Sequence, residues 1–296
     1  AYINHDTAGG TTLTSADVMD GGLGFDTLQV TIDDDSSNDL NLNMTAVERM
    51  QIRDFDGEDF YIQNVTGLTT ISMIGGDDEY TYFSDGTYIV PNIEFHNGEY
   101  SVEQDAGRVA KIDMLNVTVN NADAEVYQYS DNPDGGRSNY QQATITSTGA
   151  GFNDGQNYLY LGESQGADSV FVQGATDIEL DIEHFTNNAG TAGSVNTVDA
   201  SALEGGLEST LYFNGANGET KTVMGGMGGD ILEDRSSNKS FVISYETGAG
   251  DDTLDIDNTG LSNRITIDLG DDNDTLIAGD RLDPADSADG GDGEDT

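Results

Sequence analysis

The sequence contains no cysteine and no tryptophan, only 3 prolines, and 10 Lys plus Arg against 56 Asp plus Glu. Without cysteine there is no disulfide scaffold, no thiolate metal site and no cysteine nucleophile. A formal charge of −46 excludes a nucleic-acid or anionic-membrane binder, because both partners are polyanions. No run approaches the roughly 18 apolar residues that a membrane-spanning helix needs. The first residues, Ala1-Tyr2-Ile3-Asn4-His5-Asp6, show neither the basic start nor the apolar stretch of a signal peptide.

What is present is glycine and acid. The 296 residues suit one large or two medium domains with a buried core, and 38 of them are Gly. Low hydrophobicity with high net charge is the signature of a disordered chain. Here, however, the acidic residues recur beside glycine at regular places instead of in blocks. Such a composition also suits carboxylates neutralised by bound cations, because the few basic side chains cannot do it.

The end of the chain is periodic. Gly225-Gly226-Met227-Gly228-Gly229-Asp230-Ile231-Leu232-Glu233 aligns with Thr247-Gly248-Ala249-Gly250-Asp251-Asp252-Thr253-Leu254-Asp255. Leu269-Gly270-Asp271-Asp272-Asn273-Asp274-Thr275-Leu276-Ile277 follows, and Gly290-Gly291-Asp292-Gly293-Glu294-Asp295-Thr296 comes last. The aligned Asp230, Asp252, Asp274 and Asp295 are 22, 22 and 21 residues apart. A fixed period near 20 residues predicts a solenoid, in which each coil buries its apolar side against its neighbours. Between the turns, Ile243 falls over Ile265 and Tyr245 over Ile267, with Ser244 and Thr266 alternating. That pattern predicts strands in matching register, and Leu232, Leu254 and Leu276 form a further inward column.

The turn chemistry follows from residue type. Glycine accepts positive φ and lets the backbone curl tightly enough to aim carbonyl oxygens at a common centre. Aspartate adds a hard anionic oxygen, and stacked turns supply two such loops. Ca²⁺, which takes about six to eight oxygens in forgiving geometry, suits this donor set better than Mg²⁺. Bare carboxylates one strand spacing apart repel by several kcal/mol, so folding and calcium binding are expected to be one event. The expected metal-site residues are Gly225, Gly226, Gly228, Asp230, Gly248, Gly250, Asp252, Gly270, Asp272, Asp274, Gly290, Gly291, Gly293 and Asp295. Near the start of the chain, Gly21, Gly22, Gly24 and Asp26 join them.

These segments resemble the RTX (repeats-in-toxin) family, whose pattern is G-G-x-G-x-D-x-U-x with U apolar. Gly225 to Glu233 and Gly21 to Gln29 match fully, and Gly290 to Thr296 matches as far as it goes. Thr247 and Leu269 replace the first glycine and Asp272 the third, so those sites depart from the family pattern. A longer repeat frames the chain: Leu13–Thr27 aligns with Leu282–Thr296 at an offset of 269, with nine of fifteen positions identical. The last copy stops before its apolar U residue, which suggests a piece of a longer protein.

Between about Gln29 and Val223 lie short strand-like runs separated by Asn, Asp and Gly, with few helix-period stretches. The fold expected is therefore all-β: calcium-bound parallel β-roll coils flanking an irregular β-solenoid or a β-sandwich. The boundaries read as a coil over 1–32, a β-rich middle over 33–224 and a β-roll over 225–296. Asp131-Asn132-Pro133-Asp134-Gly135-Gly136-Arg137 is the expected long loop or break.

Gly21 to Ile32 followed by Ala46 to Ile52, and Ser194 to Leu203 leading into Gly225, are similar to calcium-dependent surface-layer (S-layer) proteins exported by type I secretion. The resemblance implies a secreted, extracellular structural protein at the cell surface. It also implies calcium-linked self-assembly into a lattice and a cell-surface glycan or lipopolysaccharide as partner. A calcium-rigidified adhesin is the alternative, and an RTX-bearing hydrolase is a third reading.

Catalytic motifs are weak. Gly162-Glu163-Ser164-Gln165-Gly166 fits a nucleophile elbow, but such an elbow leads into a helix, and Ala167–Val172 reads as a strand. His5, His96 and His184 are far apart and no H-E-x-x-H occurs, so a zinc protease is excluded. Asp54–Asp59 reads as an acidic turn, as does Gly75–Tyr80. The chain is expected not to be an enzyme.

Overall fold

The computed structural model describes residues 2–6, 18–33, 38–53, 60–76, 79–83, 90–105, 112–129, 140–162, 168–182, 195–213, 217–236, 241–257 and 264–296. Residues 13–17 of the framing repeat, the 54–59 turn, the 131–137 loop, Ser164 and His184 lie outside the described residues.

Every regular element described is a β-strand. The first eight are β1 (Tyr2–Asp6), β2 (Val18–Asp20), β3 (Thr27–Asp33), β4 (Asn38–Thr45), β5 (Arg49–Arg53), β6 (Phe60–Thr66), β7 (Thr70–Ile74) and β8 (Glu79–Phe83). Next come β9 (Asn92–Asp105), β10 (Ile112–Tyr129), β11 (Tyr140–Thr148), β12 (Asn157–Gly162), β13 (Ser169–Gly174), β14 (Ile178–Ile182), β15 (Thr197–Leu203) and β16 (Leu207–Leu211). The series closes with β17 (Thr220–Met224), β18 (Ile231–Asp234), β19 (Val242–Glu246), β20 (Thr253–Asp255), β21 (Arg264–Asp268), β22 (Thr275–Ile277) and β23 (Ser287–Asp289).

All the strand pairings are parallel, and each strand typically pairs with the second one along the chain, which makes a two-faced β-solenoid. One ladder runs β1, β3, β5, β7, β9, β10, β11 and then through the odd strands to β23. The other runs β2, β4, β6, β8, β9, β10, β12 and then through the even strands to β22. The two long strands β9 and β10 belong to both ladders: Asn92–His96 pairs with β7, while Tyr100–Gln104 pairs with β8. The middle region, open between solenoid and sandwich on sequence, is thus solenoid across its described residues.

Alternation along most strands places every second side chain inside, and β7 departs from it by burying Thr70, Ile71, Ser72 and Met73 in a row. On the first ladder Leu28, Met50, Ile71, Ile93, Val117, Ile145 and Val172 form one buried column. The predicted columns hold: Ile243 sits on Ile265, Tyr245 on Ile267, and Leu232, Leu254 and Leu276 stack in turn. Each fully buried side chain of this size contributes about 1.5–3 kcal/mol, and only stacking removes it from water.

The ladders meet at two edges. One edge carries the chain from the first ladder to the second, and the other carries it back. Turns 225–230, 247–252 and 269–274 connect β17 to β18, β19 to β20 and β21 to β22, and 290–295 follows β23, so all four lie on the first edge. Turn 21–26 connects β2 to β3 and therefore lies on the opposite edge. The two copies of the framing repeat share a sequence but face opposite ways.

Candidate metal centre

The carboxyl-terminal turns stack so closely that glycine is a steric requirement. A Cβ on Gly270 would lie 1.9 Å from the Gly248 carbonyl oxygen, and one on Gly248 would lie 2.4 Å from that of Gly226. Gly291 repeats the contact on Gly270 at 1.8 Å. A second column runs Gly228, Gly250, Asp272 and Gly293, where a Cβ on Gly250 would lie 2.6 Å from the Gly228 carbonyl carbon. Asp272, the residue that departs from the pattern, takes a left-handed φ of 85° and is exposed. These turns are bound coil to coil by backbone hydrogen bonds, such as Asp271 N–H to Gly248 O at 3.0 Å and Asp292 N–H to Gly270 O at 2.9 Å.

At the end of each turn the aspartates make a ladder of their own. Asp230 Oδ1 accepts from Leu207 N–H at 2.6 Å, and Asp252 Oδ1 accepts from Asp230 N–H at 2.7 Å. Asp274 Oδ1 accepts from Asp252 N–H at 2.9 Å, and Asp295 Oδ1 accepts from Asp274 N–H at 3.2 Å. The second oxygens differ. Asp230 Oδ2 accepts from Gly226 N–H at 2.8 Å, whereas Asp252 Oδ2 and Asp274 Oδ2 are buried with no hydrogen-bond partner. Both residues are 1% exposed, which makes two bare, buried carboxylate oxygens on consecutive coils.

Electrostatics sharpens this. Burial pushes the Asp230 carboxyl up to about 7, and the nearby Asp252 and Asp177 add to the rise. Burial also raises Asp252 and Asp274, and each is raised further by the next aspartate of the ladder. In their ionised forms these groups repel along the stack unless a positive charge joins them.

The amino-terminal turn repeats the theme on the other edge. Asp26 N–H donates to Glu48 Oε2 at 2.8 Å, and Asp26 Oδ2 is a further buried oxygen without a partner. Here Gly22 and Gly24 take left-handed φ of 84° and 129°, and Gly21 abuts the Ala46 carbonyl. The sequence-predicted residues thus fall into two separate places: Gly21–Asp26, and the stack from Gly225 to Asp295.

Sequence reading missed three participants. Asp177 ends the turn before β14, and its Oδ1 accepts from Gly206 N–H at 2.8 Å, so the ladder reaches into the middle region. Its signal was Gly174 followed by Asp177-Ile178, an aspartate and apolar residue after a glycine that takes φ 121°. Glu48 plays the same part after Asp26. Asn157 does so without charge, accepting from Ala122 N–H and donating to the Val119 and Thr148 carbonyls.

Among the described residues, no three His, Cys, Asp or Glu side chains gather into a metal-sized group. The carboxylates are strung one per coil, so a bound cation would draw its other ligands from turn carbonyls. All the donors are hard oxygens, and the bare buried ones are anionic. That chemistry fits Ca²⁺ and offers nothing to a thiophilic or imidazole-seeking metal.

The elbow-like 162–166 segment begins at the end of β12, and the chain resumes as strand β13, not as a helix. Comparison of the chain with protein-family models, curated proteins and solved structures finds no match in any of the three. The architecture is compatible with RTX-type coils.

Proposed function

We propose that this chain is a calcium-dependent structural segment of a secreted cell-surface protein, of the kind that assembles into an S-layer lattice. The observation that carries the reading is the aspartate ladder in which Asp252 and Asp274, on consecutive coils, each bury one oxygen with no partner, in a chain of charge −46. Gly225–Asp295 on one edge and Gly21–Asp26 on the other would hold the ions, with carboxylate oxygens as anionic ligands and turn carbonyls completing each shell. Calcium supplies the positive charge that this composition lacks, and it does so only where the ion is abundant, outside the cell. The role is mechanical: the ion fixes the turns, the turns fix the coils, and the stiffened solenoid presents flat sheet faces for self-assembly and for a cell-surface glycan or lipopolysaccharide.

The test is a calcium titration of the chelator-treated chain, followed by circular dichroism and calorimetry. The expected result is saturable heat with gain of β signal and a higher melting temperature. A chain whose spectrum, heat and melting temperature ignore millimolar calcium overturns the proposal. Negative-stain microscopy of the calcium-loaded chain then separates a lattice protein, which forms sheets, from an adhesin, which remains single.

A further inference from the structure

Lys221 points into the core from β17 and is fully buried. Thr197 pairs with Thr222 between β15 and β17, so Asn196 stands opposite Lys221 on the preceding coil. Lys221 Nζ lies 2.7 Å from Asn196 Oδ1 and 3.1 Å from Glu219 Oε2, and it reaches the Val195 carbonyl at 3.5 Å. The rings of Phe241 and Phe213 flank the nitrogen at 5.1 and 5.9 Å from their centroids. A buried amine beside two aromatic rings is therefore held against a part-buried carboxamide and a carboxylate whose side chain is 40% exposed.

We propose that Lys221 and Asn196 are the two halves of an intramolecular amide bond that the folded chain makes for itself, with Glu219 carrying the proton. Burial lowers the affinity of Lys221 for its proton, against the opposing pull of the Glu219 carboxylate, whose Oε2 accepts from Nζ at 3.1 Å. Glu219 takes that proton, and the neutral Nζ attacks Cγ of Asn196 to form the C–N bond. Nζ gives up a second proton as the bond forms, Nδ2 takes one proton, the Cγ–Nδ2 bond breaks, and ammonia leaves together with the remaining proton, as ammonium. One amide replaces another, so no oxidant or reductant is needed. The amine is fully buried beside the phenylalanine rings, which keeps its nitrogen out of bulk water. The product removes a buried ammonium from the core and ties neighbouring coils of one ladder covalently, where hydrogen bonds alone join the others. Lys221 lies nine residues before Asp230, on strand β17 and not in the turn, and neither Asp230 nor Asp252 is among the groups that act on it electrostatically.

Intact-mass spectrometry of the purified full chain reads the outcome directly. The expected mass is below the sequence mass by one ammonia. Trypsin acting on the denatured chain is expected to pass over Lys221 and release Ser138–Arg235 as a single peptide lighter by the same amount. Glu219→Gln, confirmed as folded by circular dichroism, is expected at its full sequence mass with normal cleavage after Lys221. A native chain at its full sequence mass, cut after Lys221, overturns the proposal. A bond that forms equally well in Glu219→Gln overturns the role given to Glu219.

Discussion

A carboxylate with one oxygen hydrogen-bonded and the other bare inside a protein is costly unless something positive reaches the bare oxygen. Asp252 and Asp274 are in that condition, and Asp230 is not, because its second oxygen is held by Gly226 N–H. The substitution Asp252→Asn separates the two halves of this arrangement. Its side-chain oxygen can still accept from Asp230 N–H, but the buried charge is gone. In chelator, Asp252→Asn is expected to raise the melting temperature, since a neutral amide costs less to bury than an ion. In saturating calcium it is expected to lower the melting temperature, with a stability loss of about 1–3 kcal/mol for the lost charged ligand. Thermal melts of both proteins under both conditions check this. The same sign under both conditions would mean that the bare oxygen serves no cation.

At the scale of the element, the turn and the strand were legible to different degrees. The strands after Gly225 could be read in register because coils of 22, 22 and 21 residues keep each apolar residue over its counterpart. The middle could not. Along one column the coil is 22 residues from Thr27 to Arg49 but 28 from Asn116 to Thr144, and the register slips between Phe171 and Gln173. Its corners carry Gly and Asp only irregularly, as at Gly174 and Asp177, and not at a fixed spacing. Chain passing along β9 and β10 turns at single residues, Asn97 and Asn121, with left-handed φ of 57° and 52° and a side-chain bond of 2.9 Å between them. Asn97-Gly98 is a turn signal, but inside the long strand-like runs of β9 and β10 it and Asn120-Asn121 do not read as corners of a coil.

Where glycine marks the turn, two demands can be told apart. Gly22 and Gly270 both take positive φ, 84° and 96°, but a Cβ on Gly22 meets nothing within 4 Å, while one on Gly270 falls 1.9 Å from Gly248 O. Gly22→Ala should therefore cost only the backbone strain, about 1–2 kcal/mol. Gly270→Ala adds the separation of two stacked turns and should cost clearly more, measured as denaturant midpoints in calcium. Equal losses would show that the turns are not packed backbone against backbone.

In a solenoid each coil touches only its neighbours, so stability is a sum of local terms and can differ along the molecule. The bare aspartates are at the two ends of the chain, on opposite edges: Asp26 near the start, Asp252 and Asp274 near the finish. Between them the coils rely on a broad apolar interior, including Ile93, Phe95, Val117, Val126, Leu159 and Val172, together with uncharged corner residues such as Asn157. The placement of the first turn on the edge opposite the last four was not legible in the repeat itself. It depends on the number of half-coils between the copies, and the corners at Asn97 and Asn121 hide that number. Because the carboxylates are terminal and the core is central, removing the cation should loosen the molecule from its ends and not all at once. Hydrogen–deuterium exchange in chelator should accelerate most over 225–296, while amides of Asn92–Asp105 and Ile112–Tyr129 keep most of their protection. Uniform acceleration along the whole chain would instead make calcium a condition for folding every coil, including those whose interiors carry no aspartate ladder.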